Sequence, residues 1–323
     1  MNIRDFISLR DLSPSEMEYL LVQGRQIKAR PMRYYDALHG KTLAMIFEKP
    51  SLRTRVSFDV GIHQLGGNSI YLSPSDINLG KRESIHDVAK TLERMVQGIM
   101  IRTFAHERVE ELALHADIPV INGLSDFSHP CQAMADFLTI WEVKGKIEKL
   151  KLAYVGDGNN VAHSLMFGGA QLGLEVCIAT PRGYEPKAEA MDWAERRAAQ
   201  TGGIITVTND PKMAVAGADI VYADVWTSMG QEDEAKVRRQ TFGRYRVDSE
   251  LFEMAKSDAL FMHCLPAHRD EEVSSGVIDS EHSVVFQQAE NRLHVQKAIL
   301  VELMKSVPVA AMRPAPALDY VGV

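Results

Sequence analysis

The sequence predicts an α/β protein of two doubly wound parallel-sheet domains, on three observations. The chain has 323 residues, long for one core when domains run to ~100–200 residues. Short, continuous apolar runs alternate with amphipathic stretches, the pattern of parallel strands covered by helices on both faces. Near the middle, the charged segment "EVKGKIEKLK" at 142–151 interrupts that alternation and marks a boundary between two units.

In chain order, Ser13-Pro14-Ser15-Glu16 reads as a capping box with proline in the first turn, opening a helix that runs to about Ala29. Strands are expected at 42–47, 69–72, 98–103 and 119–122. After the boundary they are expected at 151–155, 174–179, 204–208, 219–225 and 259–265. The intervening periodicity predicts helices at 52–65, 84–97, 106–116, 129–144, 160–172 and 186–200, with a final one near 289–305. The segment after about Ser306 is rich in proline and alanine, and neither an internal repeat nor a low-complexity tract is visible.

Hydrophobic residues at 46% and charged residues at 24% are the proportions of an ordinary globular protein. A formal net charge of -7 without a basic stripe argues against nucleic acid, which needs many phosphate contacts. The first residues, "MNIRDFISLRDLSPSE", are too charged for a signal peptide, and no apolar run approaches the ~18 residues of a membrane helix. A cytoplasmic protein with no membrane partner is expected. Cys131, Cys177 and Cys264 are odd in number and lack CxxC spacing, which favours neither a disulfide framework nor a structural zinc site.

Open parallel sheets bind ligands beyond the carboxyl ends of their strands, so the segments that follow strands carry the functional information. In "IFEKPSLRTRVSF" at 46–58, an acidic chain places Lys49, Arg53 and Arg55 together with no acid beside them. With 42–47 a strand and "EKP" a turn, Ser51 becomes an N-cap and the amides of residues 52 to 54 converge on one spot. Such a helix start attracts an anion by ~0.3–1 kcal/mol, and each charge-assisted bond from Arg53 would add ~1.5–3 kcal/mol. The alternatives are a small-anion site and a capped helix with a solvated cationic face.

Arg102 ends another strand and shares a crevice with Arg53 if the two strands are neighbours; otherwise it is a surface ion pair. In "SDFSHPCQ", His129 opens a helix and Gln132 stands three residues on, so His129 is either a cap or a donor to a carbonyl or phosphate oxygen, and Gln132 can read an amide. "ADVWTSMGQ" sets Asp224 after a strand, where an acid suits an ammonium group, with Ser228 in the turn that follows. "FMHCLPAHRDEEV" puts Cys264 and Leu265 at a strand end where Pro266 turns the chain. Its His263, Cys264 and His268 lack a fourth ligand and metal spacing, so no metal is expected. In "QAENRLH", Arg292 near the start of the last helix is an anion contact or a surface charge. "HGKT" at 39–42 lacks the first glycine of a P-loop and precedes its strand, and "GDGNNV" at 156–161 lacks the third glycine and the distal acid of a dinucleotide site.

Taken in order, "FEKPSLRTR", Arg102, "HPCQ", "GDGNNVAHS", "DVWTSMGQ", "HCLPAHR" and "AENRLH" resemble the motif set of the ornithine carbamoyltransferases, from about residue 40 to residue 305. The resemblance implies a carbamoyl-phosphate-binding domain over 1–145 plus 289–323, an ornithine-binding domain over 146–288, and a C-terminal helix that returns to the first domain. It also implies a homotrimer, or a multiple of trimers, needing neither metal nor organic cofactor. The implied reaction, part of arginine biosynthesis, moves the carbamoyl group of carbamoyl phosphate to the δ-amine of L-ornithine, giving L-citrulline and phosphate without a covalent enzyme intermediate.

By the same resemblance, Ser51, Leu52, Arg53 and Thr54 cradle the phosphate with Arg102 and Arg292. Arg102, His129 and Thr54 polarise the carbamoyl carbonyl, while Gln132 and the Leu265 carbonyl hold the carbamoyl NH2. Pro130, Cys131 and Cys264 are counted with the carbamoyl phosphate contacts, and Cys264 lies beside the reacting amine. Asn160, Asp224, Ser228 and Met229 hold ornithine's α-carboxylate and α-amino groups. Three positions depart from the family: Leu52 replaces a common Thr, Asn78 replaces the Gln often found on the loop that reaches a neighbouring subunit, and Asp270 replaces a common Gly. Remaining alternatives are a sibling transferase acting on another amine, a non-catalytic phosphate-binding α/β protein, and a dinucleotide oxidoreductase.

Overall fold

The computed structural model describes residues 3–308. The first lobe contains α1 (Pro14–Ala29), β1 (Thr42–Phe47), α2 (Leu52–Gln64), β2 (Asn68–Leu72), α3 (Pro74–Ile77), α4 (Ile85–Leu92), β3 (Gly98–Arg102), α5 (His106–His115), β4 (Val120–Leu124) and α6 (Pro130–Lys144). Next come β5 (Lys151–Val155), α7 (Asn160–Leu172), β6 (Glu175–Ala179), α8 (Ala188–Thr201), β7 (Ile204–Thr208), α9 (Pro211–Val215) and β8 (Ile220–Ala223). The second lobe ends with α10 (Ala235–Phe242), α11 (Ser249–Phe252), β9 (Leu260–His263) and α12 (Ser275–Ile278), and α13 (Val285–Met304) is the last described element.

All pairings between these strands are parallel, in the orders β2-β1-β3-β4 and β7-β6-β5-β8-β9. This is the predicted class of two α/β units. Strands β3, β8 and β9 are buried along their whole length, which is why each reads as an apolar run instead of an alternation, with a polar residue only at the C-terminal ends of β3 and β9. Helix α1 begins with the expected capping box, since Ser13 accepts from the Glu16 amide and Glu16 accepts from the Ser13 amide at 3.0 Å.

Helix α13 packs against α1, α2 and α6, so the last described helix returns to the first lobe. Its C-terminal carbonyls are capped by a buried cation: Lys41 Nζ donates to the carbonyls of Met304 and Lys305. That is the role of the lysine in "HGKT". The two lobes share one apolar core, in which α6 lies against α7. At this seam a Cβ on Gly168 would stand 2.1 Å from Phe137 Cε2, so only glycine lets the helices approach.

Some elements differ from expectation. The stretch 84–97 is helical only to Leu92, and buried Glu93 beyond it is drawn away to accept from the Asp117 amide at 2.8 Å. The last helix starts at Val285, earlier than the expected 289, and Val284 caps it without a side-chain bond, so no cap residue marked that start in the sequence. Helix α10 was not foreseen, since its buried face pairs Phe242 with an arginine, Arg238, and so shows no apolar stripe. The Pro/Ala-rich tail beyond residue 308, and with it the end of the 289–323 segment, lies outside the described residues.

Gly168→Ala is expected to lower stability by ~1–3 kcal/mol through overpacking against Phe137. Gly243→Ala, where an added Cβ meets nothing within 4 Å, should stay within ~0.5 kcal/mol of the parent. Urea unfolding of both variants checks the contrast.

Candidate active site

Strand order places the site. The chain runs from β1 outward to β2 and then back to β3 on the other side, so the first sheet has its switch point between β1 and β3. The second sheet switches between β5 and β8. Ligand crevices of open α/β sheets open at such points. Both switch points border one cleft of about 960 Å³ between the lobes.

On the first wall, Phe47 at the end of β1 is paired with Arg102 at the end of β3, which makes the two strands neighbours. Ser51 is the N-cap of α2, and its Oγ accepts from the Thr54 amide at 3.2 Å. The amides of Leu52 and Arg53 keep no partner among the described residues, so two amides face outward, not the three expected. Leu52 offers only backbone there, the residue being 73% exposed.

The three cations of the opening motif separate. Lys49 is paired with Asp126, far along the chain, and lies 4.1 Å from the centre of the Phe104 ring. Arg55 stacks on Tyr71 at 4.1 Å. Arg53 has no acidic partner among the described residues, and neither has Arg102 or Arg292. Arg292 reaches back from α13, donating from Nη1 to Gln132 Oε1 at 2.7 Å and from Nη2 to Thr54 Oγ1 at 3.2 Å. With its amide turned so that it donates to Ser57 Oγ at 2.6 Å, Gln296 accepts from Arg292 Nε at 3.1 Å.

Two buried polar atoms on this wall, Arg102 Nε and His129 Nδ1, lack a hydrogen-bond partner. Burial first, then the charge of Arg292, pushes Arg102 down to about 9. Burial and the same arginines hold His129 well below the usual imidazole range, so the ring is neutral at physiological pH. An uncharged imidazole among unpaired guanidinium groups calls for an anion, not for another cation.

The second wall is acidic. Ala223 and Val155 are paired at the ends of β8 and β5, which brings Asp224 beside the start of α7. Asn159, the N-cap of α7, donates to Asp224 Oδ2 at 2.8 Å, and the Cys264 thiol donates to Asp224 Oδ1 at 3.0 Å. Burial and the adjacent Asp224 charge push that thiol well above its ordinary value, so it remains protonated. Leu265 adopts φ 57°, and its amide donates to His263 Nδ1 at 2.9 Å. Asn160, Ser228, Met229 and Leu265 all border the same space.

Three expected residues are elsewhere. Cys131 points into the core beneath, its Sγ toward the Asn122 carbonyl at 3.5 Å, with burial raising it to about 12. Pro130, in the first turn of α6, is also buried away from the cleft. Asn78 caps α3 in the left-handed region at φ 48° and does not border this cleft. Conversely, Asn159, Asp157 and Arg238 belong to the lining and were not singled out as site residues. Asp157 is bridged to Arg238 at 2.8 Å, and burial raises it to about 6 despite that partner. Asn159 had a readable signal, an Asx residue before an apolar helix. Gly158 in the same motif is needed because the 184–186 loop lies over it, leaving a Cβ only 2.3 Å from Pro186 N.

Fold and cleft together define a two-lobed α/β protein whose cleft sets unpaired guanidinium groups opposite a buried carboxylate. Comparisons narrow the class. The carbamoyl-P binding domain of the aspartate/ornithine carbamoyltransferases matches residues 4–142, and the Asp/Orn binding domain of the same family matches residues 148–303. Over 303 residues the chain is 56% identical to an ornithine carbamoyltransferase of Anoxybacillus flavithermus, covering 93% of this chain and 96% of that one. Its identity to an anabolic ornithine carbamoyltransferase of Pyrococcus furiosus is 53% over 309 residues, 94% of this chain and 97% of the relative. A solved ornithine carbamoyltransferase from Pyrococcus furiosus superposes with a TM-score of 0.92 at 52% identity, covering 94% of this chain and 98% of that one. The chain belongs to the aspartate/ornithine carbamoyltransferase family.

Arg102→Met keeps the bulk and removes the unpaired charge. Without ligand its unfolding midpoint should hold or rise, while inorganic phosphate should bind roughly 10- to 100-fold more weakly, the loss of one charge-assisted contact. Calorimetric titration alongside thermal unfolding reads both effects.

Proposed function

We propose that this cleft transfers the carbamoyl group of carbamoyl phosphate to the δ-amine of L-ornithine, releasing L-citrulline and phosphate. One observation carries the reading: three guanidinium groups without an acidic partner among the described residues face, across the cleft, an aspartate held by an asparagine and a thiol. A dianionic phosphate answers the first wall and an α-ammonium the second. The names of the relatives agree with it. Asp224 also argues against a sibling transferase acting on an amine whose α-amino group is blocked.

In this reading the free amides of Leu52 and Arg53, together with Ser51, Thr54, Arg53, Arg102 and Arg292, grip the phosphate. Arg102 and His129 donate to the carbamoyl oxygen, where negative charge grows during attack, and a neutral imidazole is suited to donate without first binding a proton. Gln132 and the Leu265 carbonyl accept from the carbamoyl NH2. Asn160, Asp224, Ser228 and Met229 orient ornithine's α-groups. The neutral δ-amine forms the new C–N bond, the C–O bond to phosphate breaks, and an amine proton leaves with the phosphate or to solvent. Positioning supplies much of the rate. Cys264, kept as a thiol by Asp224 and by burial, steers the amine and is not the nucleophile.

We assign the carbamoyl phosphate domain to 1–145 with 289–323 and the ornithine domain to 146–288. This division is supported by the packing of α13 on the first lobe, although the matched Asp/Orn domain runs on in sequence to residue 303. The same reading makes the protein a homotrimer or multiple of trimers in the cytoplasm, with Asn78 serving a neighbouring subunit's cleft. No helix among the described residues is long and apolar enough to cross a membrane.

Turnover of carbamoyl phosphate with L-ornithine as sole acceptor, read as citrulline, tests the assignment directly. Ornithine must lose a proton to attack, so kcat/KM for ornithine should climb with pH until the bound amine is neutral; a flat profile between about pH 6 and 9 contradicts direct attack. Arg53→Ala should raise the half-saturating carbamoyl phosphate concentration at least tenfold, by roughly 1.4 kcal/mol or more. Saturation at the parent's concentration would remove Arg53 from the phosphate contacts.

A further inference from the structure

Gln132 stands between two groups of opposite hydrogen-bonding character. Its Oε1 accepts from Arg292 Nη1 at 2.7 Å, and its Nε2 donates to Asp136 Oδ1 at 2.8 Å, one helical turn further along α6. Asp136 is wholly buried and outside the cleft lining. Besides Gln132, its Oδ1 accepts from Gln288 Nε2 at 2.7 Å on α13, and its Oδ2 accepts from the Tyr222 hydroxyl at 3.1 Å on β8. Gln288 in turn accepts the His263 amide of β9 at 3.0 Å.

We propose that Asp136 is a positioning residue that fixes which end of the Gln132 amide faces the substrate. The two ends of an amide are nearly identical in shape, so packing alone does not choose between them. Hydrogen bonding does. An ionised carboxylate has no proton to give and a guanidinium has no lone pair to offer. With Asp136 on one side and Arg292 on the other, only one orientation satisfies both, with NH2 toward Asp136 and the carbonyl oxygen toward Arg292 and the cleft. That oxygen is the acceptor a carbamoyl NH2 requires. The reversed amide would set donor against donor at Arg292 and acceptor against acceptor at Asp136, at a buried place where unpaired groups are costly. Through Tyr222 and Gln288 the second lobe and α13 hold the carboxylate in place, so a choice made at the carbamoyl site is anchored outside it. The inference rests on the reading of Gln132 given under the proposed function.

The test uses two probes that share phosphate and carbonyl and differ only in NH2 against CH3. Carbamoyl phosphate is followed by its KM and acetyl phosphate by its Ki as a competitive inhibitor, on the full chain at pH 8, where a carboxyl raised to about 7 by burial is mostly ionised. The parent should prefer carbamoyl phosphate. Asp136→Asn, which can face Gln132 with either a donor or an acceptor, should weaken carbamoyl phosphate about tenfold or more while leaving acetyl phosphate within about threefold, the loss of one buried hydrogen bond. Tyr222→Phe keeps the acceptor-only carboxylate and should keep the parent's preference. If Asp136→Asn does not fold, Asp136→Ser gives the same readout. An unchanged preference in the Asp136 variant, equal weakening of both probes, or a like collapse in Tyr222→Phe overturns the proposal. A parent that does not distinguish the probes removes Gln132 as the NH2 reader, and the role of Asp136 falls with it; a parent that binds neither probe refutes the proposed function itself.

Discussion

Three buried or half-buried arginines whose charge the described protein leaves uncompensated are the constraint on which the rest of the site depends. Thr54, Gln132 and Gln296 solvate Arg292 with neutral oxygens but do not neutralise it, and Arg102 keeps a bare Nε. Keeping such charges out of water is expensive unless a partner arrives. The fold holds them because they come from elements fixed by large apolar contacts: β3 is fully buried, and α13 lies against α1, α2 and α6. The stability of the core thus keeps the electrostatic demand of the cleft in place until an anion meets it.

The opposite wall solves a different problem. In the proposed reading, Asp224 must stay available to an ammonium without being neutralised by a lasting cation. Its two described partners, the Asn159 amide and the Cys264 thiol, are neutral donors that orient the carboxylate without cancelling its charge. Nearby, Asp157 is paired with Arg238, so two acids far apart along the chain but lining the same cleft have different partners, one a cation and the other neutral donors. His263 belongs to the same logic, since its Nδ1 accepts the Leu265 amide while its Nε2 faces buried Glu272 at 3.2 Å, which holds the turn that presents Leu265.

Much of this was legible in the chain. Buried parallel strands leave continuous apolar runs, and the polar motifs that bear on the cleft follow such runs, except for Arg292, which stands inside helix α13. The ordered resemblance to the ornithine carbamoyltransferases located Arg53, Arg102, His129, Gln132, Asp224 and Arg292, all of which border the cleft. Other features left no local trace. Lys49 looked equivalent to Arg53 until Asp126 was found beside it, and Cys131 looked equivalent to Gln132 until the helix turned its thiol into the core. Helix α10 was hidden because an arginine stands on its buried face, and Asp136 because a lone acid inside an apolar helix has no meaning without its three donors.

By itself, the sequence determined the periodicities, the caps and the residue types beyond each strand, because these depend on neighbours a few positions away and on the two repeats of strand and helix. Which cation would remain unpaired, which strand ends would meet, and which way an amide would face were decided only by the tertiary structure. Each of those outcomes turns on at least one partner scores of residues distant, and a hydrogen bond or ion pair depends on where atoms lie in space, whatever their separation along the chain.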